Sequence, residues 1–252
     1  MTRPTVLVTG AAVRLGQAIA EKLFDRGCNL VLHYNQSAVT AKALVQSFND
    51  RRADSCDSIG ANLEHPDEYQ RLIQFCLQRF GRLDHLVNNA SIFYPTPMDS
   101  ASTTTLAQFL RVNFRAPLAL ARCAADALAT HQGSIVNLLD IYADAGLAGH
   151  SFYVASKSAL QAATRQLALE LAPKVRVNAV SPGAILWPSQ ENAEISASGN
   201  NQQRKRAIVE NSALKKSGSP SDIAETTAFL ALDASYSTGS IIYVDGGRRF
   251  YI

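Results

Sequence analysis

Short apolar runs alternate with longer helical patterns along most of the chain, and this alternation limits the possible folds more than any other feature. In the helical pattern LGQAIAEKLFDRG, Ile19, Leu23 and Phe24 fall on one face and Gly27 marks the end. Apolar strands separated by helices form parallel sheets that helices cover on both faces. The sequence therefore predicts a doubly wound α/β fold with a seven-stranded parallel sheet. The predicted strands are TVLVTG (5–10), NLVLHY (29–34), SIGAN (58–62), LDHLVNNA (83–90), GSIVNLL (133–139), VRVNAVSP (175–182) and GSIIYVDGG (239–247).

A single domain spanning residues 1–252 fits this pattern, because α/β folds often reach such a size as one unit. The segment 187–219 departs from the alternation, since it is rich in Asn, Gln, Ser and Lys. It follows the end of a strand, which is where open α/β sheets bind ligands. We predict a mobile loop that covers the substrate. A surface excursion without a role in binding is the alternative.

Charge and cysteine content argue against several classes of protein. The net charge of +3 is modest, and the basic runs 204–206 and 215–216 lie in polar sequence, so no nucleic-acid partner is expected. The four cysteines form no CxxC pair and the five histidines are scattered, which predicts neither disulfides nor a metal site. No signal-peptide pattern and no apolar run near the ~20 residues of a membrane span are found. We expect a cytoplasmic protein without a membrane partner.

The first predicted strand leads through a glycine turn into a helix, in the sequence VLVTGAAVRLGQAIA. Gly10 can adopt backbone angles that a side chain forbids, and Gly16 allows the helix to pack close to the sheet. The N-terminus of that helix offers free N–H groups and a partial positive charge to a pyrophosphate. Arg14 occupies a position that is usually glycine in dinucleotide-binding turns of this spacing. The pattern predicts a dinucleotide site.

The end of the second strand indicates which dinucleotide is bound. NAD-binding sites place an acid there to hold the ribose 2′-hydroxyl, whereas residues 33–37 read HYNQS and contain no acid. A carboxylate ~4 Å from a 2′-phosphate would cost on the order of 4 kcal/mol at intermediate dielectric. The lack of an acid, together with the nearby Arg14, favours NADP(H). A polar loop without a role in cofactor choice is the alternative.

Tyr153 and Lys157 would lie one turn apart on the same face of a helix that follows the fifth strand, and Asp140 stands at the end of that strand. Free tyrosine has a pKa of about 10, and an adjacent ammonium lowers that pKa, which suits general acid–base catalysis. An ordinary helix face is the alternative for the Tyr–Lys pair, and a structural acid is the alternative for Asp140.

Other polar or turn residues converge on the same edge of the sheet. Asn88, Asn89 and Ser91 end the fourth strand where a cofactor ribose would lie, and the PG turn at 182–183 ends the sixth strand beside a nicotinamide. Asn113 falls inside a helical pattern although asparagine is a poor helix former. It marks either a kink that holds a water in a proton path or an exposed helical position.

Taken together, TGxxxRxG, NNA, the helical Asn, Tyr-x3-Lys, the PG turn and VDGG resemble the short-chain dehydrogenase/reductase family over essentially the whole chain. The resemblance implies a Rossmann fold, Tyr153 as proton donor, Lys157 as ribose ligand and depressor of the tyrosine pKa, and Asn113 in the proton relay. It also implies a homotetramer. The implied cofactor-binding residues are Gly10, Arg14, Leu15, Gly16, His33, Tyr34, Asn35, Ser37, Asn62, Leu63, Asn89, Ala90, Ser91, Tyr153, Lys157, Pro182 and Gly183.

Two departures from the family pattern narrow the resemblance. Most members have serine where this chain has Asp140 and glycine where it has Arg14, and both departures, with NNASIFYPTP, are similar to the pteridine reductases, including dihydromonapterin reductases. In that subgroup an aromatic residue matching Phe93 stacks on the pterin. Asn62 replaces the usual aspartate that contacts adenine. The implied substrate-binding residues are Arg14, Ser91, Phe93, Asp140, Tyr153 and Trp187.

The aspartate suits a nitrogen heterocycle better than a ketone. A serine donates a hydrogen bond to a carbonyl oxygen that becomes negative, whereas an ionised aspartate can only accept and repels that charge. A pterin offers N–H donors and needs a proton at a ring nitrogen. The hypothesis is NADPH-dependent reduction of a dihydropterin stacked between the nicotinamide and Phe93. The alternatives are a β-ketoacyl-thioester reductase with Asp140 kept protonated, and a non-catalytic NADPH-binding protein.

Overall fold

In a computed structural model, which describes residues 3–99, 102–185 and 209–251, seven parallel strands form one sheet in the order β3-β2-β1-β4-β5-β6-β7. The predicted doubly wound fold is thus confirmed. All neighbouring strands pair in parallel, for example Leu7 with Val31 on one side and with Leu86 on the other. The strands are β1 (Thr5–Val8), β2 (Asn29–Tyr34), β3 (Cys56–Gly60), β4 (His85–Asn88), β5 (Ser134–Leu138), β6 (Arg176–Pro182) and β7 (Ile241–Val244).

Helices connect successive strands and cover both faces of the sheet. Two of them continue into π-helical turns, Arg111–Arg115 and Phe229–Asp233, and a 3-10 turn at Arg248–Phe250 follows the last strand. The α-helices are α1 (Arg14–Asp25), α2 (Ala38–Arg51), α3 (Asp67–Phe80), α4 (Thr103–Leu110), α5 (Ala116–Thr130), α6 (Tyr142–Ala145), α7 (Ser151–Leu171) and α8 (Pro220–Ala228).

The core consists of two apolar layers, one on each face of the sheet. Side chains alternate along a strand, so Val6 and Val8 of β1 join one layer and Leu7 joins the other. In the first layer they pack with α1 and α8, and in the second with α3, α5 and α7. Burial of each leucine or valine stabilises the fold by about 1.5–3 kcal/mol before entropy is counted. This packing holds the strand ends in fixed relative positions.

The strand order changes direction between β1 and β4, because the chain runs outward to β3 and then returns to the other side of β1. Open α/β sheets bind ligands in the crevice at the carboxyl ends of the strands beside such a switch. Gly10, Asn89, Asp140 and Gly183 all lie just after the ends of β1, β4, β5 and β6. The fold therefore brings the predicted site residues to one edge.

The proposed substrate loop 187–219 falls largely outside the described residues, since the structure describes only 209–219 of it. That part leads into α8, whose N-terminus is closed by a capping box. Ser219 Oγ accepts a hydrogen bond from Asp222 N, and Asp222 Oδ2 accepts one from Ser219 N at 2.7 Å. The loop's mobility and its role over the substrate remain predictions.

The four cysteines are all free. Burial raises the pKa of the Cys28 thiol to about 11 and that of Cys56 and Cys76 to about 12, so these thiols are protonated and unreactive at neutral pH. Within the described ranges, no group of three or more His, Cys, Asp or Glu side chains is placed to hold a metal ion. No described helix combines the length and the apolar character that crossing a membrane requires.

Candidate active site

The glycine turn after β1 has the backbone that its sequence predicts. Gly10 has a φ of +62°, and Arg14, which begins α1, has a φ of +54°. Arginine thus occupies a left-handed position that favours glycine, which explains why glycine is usual there. At Gly16 an added Cβ would overlap the carbonyl oxygen of Gly10 and lie 2.7 Å from Asn89 Nδ2. Only glycine allows α1 to begin this close to the turn.

Asn89 and Thr9 fix the turn from the side of β4. Asn89 Nδ2 donates to the carbonyls of Thr9 and Gly10 at 2.9 and 3.0 Å, and Thr9 Oγ1 accepts from the N–H groups of Asn89 and Ala90 at 2.9 and 3.0 Å. The Asn89 amide group therefore shapes the turn. Asn88 is buried and donates to Asn137 Oδ1 at 2.9 Å, so the prediction that its side chain lies where a ribose would bind is wrong.

The His33 side chain supports the glycine turn by accepting a hydrogen bond from its backbone. Its ring is 2% exposed, Nδ1 accepts from Gly10 N at 3.1 Å, and Nε2 lies 3.0 Å from Ala61 O. Burial lowers the pKa of His33, which keeps the ring neutral and preserves Nδ1 as an acceptor. The sequence placed His33 among the cofactor-contacting residues. The ring instead faces the protein interior, because a polar group under the turn must pair with the free N–H of Gly10.

The remaining residues at the ends of β2 and β3 differ in their exposure. Asn35 is exposed, whereas Tyr34 and Ser37 are half-buried. Asn62 is half-buried and its Oδ1 accepts from Glu64 N at 3.0 Å, which makes it a local turn residue, while Leu63 is buried. Their contacts with a cofactor stay predictions. The structure places all of them at the end of the crevice where β2 and β3 terminate.

Asn113 occupies a π-helical turn, Arg111–Arg115, between α4 and α5. The predicted kink is confirmed, and the alternative of an exposed helical asparagine is wrong because the residue is fully buried. Its side chain accepts from Ile92 N at 2.9 Å and Ser91 Oγ at 3.2 Å, and donates to Ile92 O at 3.0 Å and Ser156 Oγ at 3.1 Å. Asn113 thus ties the loop after β4 to α7. The predicted proton path would have to use the backbone of the π turn, since these bonds satisfy its side chain.

Tyr153, Lys157 and Asp140 are brought together at the centre of the crevice. Tyr153 and Lys157 are one turn apart on α7 and are 5% and 3% exposed. The Tyr153 hydroxyl donates to Asp140 Oδ2 at 2.7 Å, and Lys157 Nζ donates to Leu138 O at 2.8 Å. The Lys157 ammonium lies 5.8 Å from the centre of the tyrosine ring. The short contact joins the phenol to the carboxylate.

The electrostatics of this cluster differ from the prediction. Burial and the neighbouring Asp140 raise the pKa of Tyr153 well above 10, whereas the sequence predicted that Lys157 would lower it. Burial also raises the pKa of Asp140, although the N–H of Tyr142 and the phenol of Tyr153 oppose this shift. Burial lowers the pKa of Lys157 to about 8. The phenol therefore holds its proton firmly and the carboxyl group is shifted towards its protonated form.

Phe93 borders the cluster through a ring contact with Tyr153. The residue is 48% exposed and is therefore not part of the core. Its ring stacks on His150 with centroids 4.8 Å apart and an angle of 12°, and meets Tyr153 edge to face at 4.7 Å and 81°. A flat ligand would thus stack on the face of Phe93 opposite His150 or take the place of His150. Trp187, the other predicted aromatic contact, lies outside the described residues.

The PG turn after β6 is held against the end of β7. Gly183 N donates to Val244 O at 3.0 Å, and a Cβ at Gly183 would lie 2.6 Å from Asp245 Cα. The carbonyl of Pro182 accepts from Ile141 N at 3.2 Å. Glycine is needed here because the VDGG segment approaches closely. The predicted contact of this turn with a nicotinamide stays a prediction.

Residues 10–249 match a protein-family model described as enoyl-(acyl carrier protein) reductase. A crystal structure titled short-chain dehydrogenase/reductase (glucose/ribitol dehydrogenase), from Brucella melitensis, superposes with a TM-score of 0.88 at 32% identity, covering 98% of this chain and 97% of that one. The chain belongs to the short-chain dehydrogenase/reductase family. The resemblance predicted from the sequence motifs is confirmed.

Two relatives of similar identity are named for different activities. Pteridine reductase 1 of Leishmania tarentolae is 34% identical over 286 residues, covering 98% of this chain and 96% of that protein. The 3-oxoacyl-[acyl-carrier-protein] reductase of Staphylococcus aureus is 32% identical over 246 residues, covering 96% and 97%. A blue fluorescent protein from a metagenomic library, solved in complex with NADPH, superposes with a TM-score of 0.87 at 30% identity, covering 98% of both chains. Overall similarity therefore does not decide between a pterin and a ketoacyl thioester as the substrate.

The sequence patterns did not indicate three residues of this enzyme's site. His150 stacks on Phe93, Tyr142 donates its backbone N–H to Asp140 Oδ1 at 3.0 Å, and Arg248 reaches the Tyr142 hydroxyl at 3.3 Å. His150 and Tyr142 lie within the segment that carries Asp140 and Tyr153, so their position near the site could have been inferred from spacing. Arg248 is 106 positions from Tyr142, and no local pattern indicates that contact.

Proposed function

We propose that this enzyme uses NADPH to reduce a dihydropterin to a tetrahydropterin. The observation that carries the proposal is the 2.7 Å hydrogen bond from the Tyr153 hydroxyl to Asp140, a carboxyl group where most of the family has serine. A carboxyl group beside the phenol can return a proton to it and can accept from the N–H groups of a pterin. A flat substrate is further supported by Phe93, which offers an exposed aromatic ring beside Tyr153.

The crevice fits an NADP dinucleotide. The left-handed Gly10 and the lack of a side chain at Gly16 leave the N-terminus of α1 open to a pyrophosphate. The first turn of α1 contains no acid, and neither do residues 33–37 at the end of β2. Asn35 and Ser37 would lie near the ribose 2′-phosphate, with Arg14 at the pyrophosphate. NADPH, when bound, supplies the hydride that the substrate carbon receives.

The side chains of this chain supply the proton. Tyr153 would donate its hydroxyl proton to the substrate nitrogen beside the reduced carbon. A protonated Asp140 would then pass its proton to the phenolate, and solvent would return a proton to the carboxylate. The raised pKa of Asp140, caused by burial, favours the protonated carboxyl that this step needs. Lys157 uses one N–H on Leu138 O and keeps its others for a ribose hydroxyl, and its positive charge stabilises the phenolate.

A β-ketoacyl-thioester reductase is the second candidate, supported by the 32% identical 3-oxoacyl-[acyl-carrier-protein] reductase. It requires Asp140 to stay protonated and to donate to the carbonyl oxygen as serine does elsewhere. An ionised Asp140 would instead repel the oxyanion that develops as hydride arrives, and this disfavours turnover of ketones. A non-catalytic NADPH-binding protein is less consistent with the assembled Tyr153–Lys157–Asp140 cluster.

Substrate preference tests the proposal directly. NADPH oxidation should be followed with purified enzyme on dihydrobiopterin, dihydromonapterin and dihydrofolate, and on acetoacetyl thioesters at matched concentrations. We expect kcat/KM for the best dihydropterin to exceed that for the ketoacyl thioester by about 10²-fold, the size of effect that one proton-transferring group provides. A thioester preferred over every pterin would overturn the proposal in favour of the second candidate.

Glycine at position 16 tests the cofactor site. Gly16→Ala should raise the dissociation constant for NADPH at least ~10-fold and destabilise the fold by about 1–3 kcal/mol, because the new Cβ overlaps the Gly10 carbonyl. Fluorescence titration and urea unfolding measure the two effects. Gly81→Ala is the control, since Gly81 has a φ of +71° but no neighbour within 4 Å of its Cβ. It should lower stability and leave NADPH affinity unchanged; equal NADPH affinity in Gly16→Ala would contradict the assignment.

A cytoplasmic homotetramer is also part of the proposal. Phe250 and Tyr251 are adjacent near the C-terminus and are 73% and 53% exposed, and such neighbouring exposed aromatic rings suit a contact between subunits.

A further inference from the structure

The short helix α6 controls how the Asp140 carboxylate is held. Asp140 ends the loop after β5, and α6 begins two residues later at Tyr142. The backbone N–H of Tyr142 donates to Asp140 Oδ1 at 3.0 Å, while Oδ2 accepts from Tyr153. One oxygen of Asp140 is therefore fixed by the start of α6 and the other by the phenol. Whatever holds α6 in place also sets the direction of the carboxylate.

Two side chains from the C-terminal segment hold α6. The Tyr243 hydroxyl on β7 donates to Asp144 Oδ2 at 2.6 Å, and Arg248 Nη2 donates to the Tyr142 hydroxyl at 3.3 Å. Gln161 of α7 adds a hydrogen bond to Asp144 Oδ1 at 2.8 Å. A helix of four residues has little stability of its own, so these contacts with β7 and α7 hold its position.

Arg248 is placed in the interior by the turn that precedes it. Gly247 has a φ of +76°, and Arg248 N donates to Asp245 O at 3.0 Å. The residue is 6% exposed although arginine is rarely buried, and a guanidinium in such a place needs polar partners. Tyr142 provides one of them. The buried guanidinium of Arg248 therefore contacts Tyr142, the residue whose backbone N–H holds Asp140.

We propose that Arg248 is a positioning residue that orients the Asp140 carboxylate through Tyr142. The inference rests on the proposed role of Asp140 as the proton source for Tyr153. The groups that face Asp140 are Tyr153 and Lys157 from α7, Tyr142 from α6 and Arg248 from the C-terminal turn. The charge of Arg248 lowers the pKa of Asp140 and so opposes the effect of burial. The result is a carboxyl group that can both release and regain a proton.

The pH dependence of kcat for dihydropterin reduction tests this inference. Because Asp140 must be protonated to supply Tyr153, activity should fall as the pH rises through its pKa. The fall should be absent in Asp140→Asn, because asparagine does not titrate, and its absence assigns the fall to Asp140. Arg248→Met should move the same fall to higher pH, because the positive charge that lowers the pKa of Asp140 is lost. We expect kcat to change several-fold while the KM for NADPH stays within about 2-fold.

Two further variants make the outcome decisive. Tyr142→Phe removes only the hydroxyl to which Arg248 donates, so it should fold even if Arg248→Met does not, and it should shift the profile in the same direction. Arg122→Met removes an equal charge from an exposed position on α5 and should leave the profile unchanged. If Asp140→Asn removes the fall and neither Arg248→Met nor Tyr142→Phe moves it, the role of Arg248 is wrong. If Asp140→Asn leaves the fall in place, Asp140 is not the proton source and the inference about Arg248 fails with it. Absence of dihydropterin turnover by the wild-type enzyme would instead be a failure of the proposed function.

Discussion

Asp140→Ser should lower kcat for dihydropterin reduction by about 10²-fold or more, the contribution that a positioned proton-transferring group makes. A serine hydroxyl has no titrating proton to return to Tyr153, and it cannot accept from pterin N–H groups with the strength of a carboxylate. The same hydroxyl can donate to a carbonyl oxygen, so turnover of a ketoacyl thioester should rise. The variant would thus exchange one substrate class for the other. Steady-state kinetics on both classes of substrate measures this change.

The variant should fold normally. Serine is smaller than aspartate and can still accept the N–H of Tyr142. The substitution also removes the desolvation cost of a half-buried carboxyl group, which offsets the lost hydrogen bond with Tyr153. NADPH affinity and the thermal midpoint should therefore match the wild type, which separates a chemical effect from a structural one. Asp126→Ser, on the far side of the molecule on α5, serves as the matched control and should change neither activity. Dihydropterin turnover retained within about 3-fold would remove Asp140 from the mechanism.

The sheet could be predicted from the sequence almost element by element, because burial on both faces makes each parallel strand a continuous apolar run. The first and last residues of the individual strands could not be predicted in the same way. The third strand was predicted at 58–62 and is found at Cys56–Gly60, since Asp57 and Ser58 pair with β2 despite their polar side chains. Backbone hydrogen bonds, which side-chain pattern does not report, decide where such an edge strand begins.

The sequence predicts which residues lie at the candidate site, but it predicts only partly in which direction their side chains point. Strand ends place Asp140, Tyr153 and Lys157 together, and helical spacing fixes the pair on α7. The side chains of Asn88 and His33 face the interior instead, because they satisfy buried polar groups that the sequence does not reveal. The contact of Arg248 with Tyr142 depends on the strand order of the complete sheet, which places β7 beside β6.

Electrostatics were the least predictable part of the site. Spacing placed an ammonium near the phenol, and the expectation that it lowers the tyrosine pKa followed from charge alone. In the structure burial acts on both groups, lowering the pKa of Lys157 to about 8 and raising that of Tyr153. Burial depends on packing by residues far apart in the chain, so it cannot be obtained from a four-residue interval.

Tyr153→Phe should abolish most of the activity, with kcat reduced by about 10²–10⁴-fold. The substitution removes the hydroxyl that donates to Asp140 at 2.7 Å and leaves the ring that meets Phe93 edge to face. The substrate nitrogen then loses the phenol as its proton donor. Because the ring is retained, the free energy of unfolding should change by no more than about 1 kcal/mol. Single-turnover measurement of NADPH oxidation reports the chemical step without interference from product release.

The same hydroxyl also stabilises the ionised form of Asp140, so its loss should raise the pKa of that carboxyl further. Residual activity in Tyr153→Phe should therefore extend to higher pH than in the wild type. Tyr94→Phe is the matched control: its hydroxyl donates to Gln108 Oε1 at 2.8 Å, outside the cluster, and its removal should leave kcat unchanged. Wild-type turnover by Tyr153→Phe, with Asp140→Ser inactive, would mean that the carboxyl protonates the substrate directly and that the phenol only orients it.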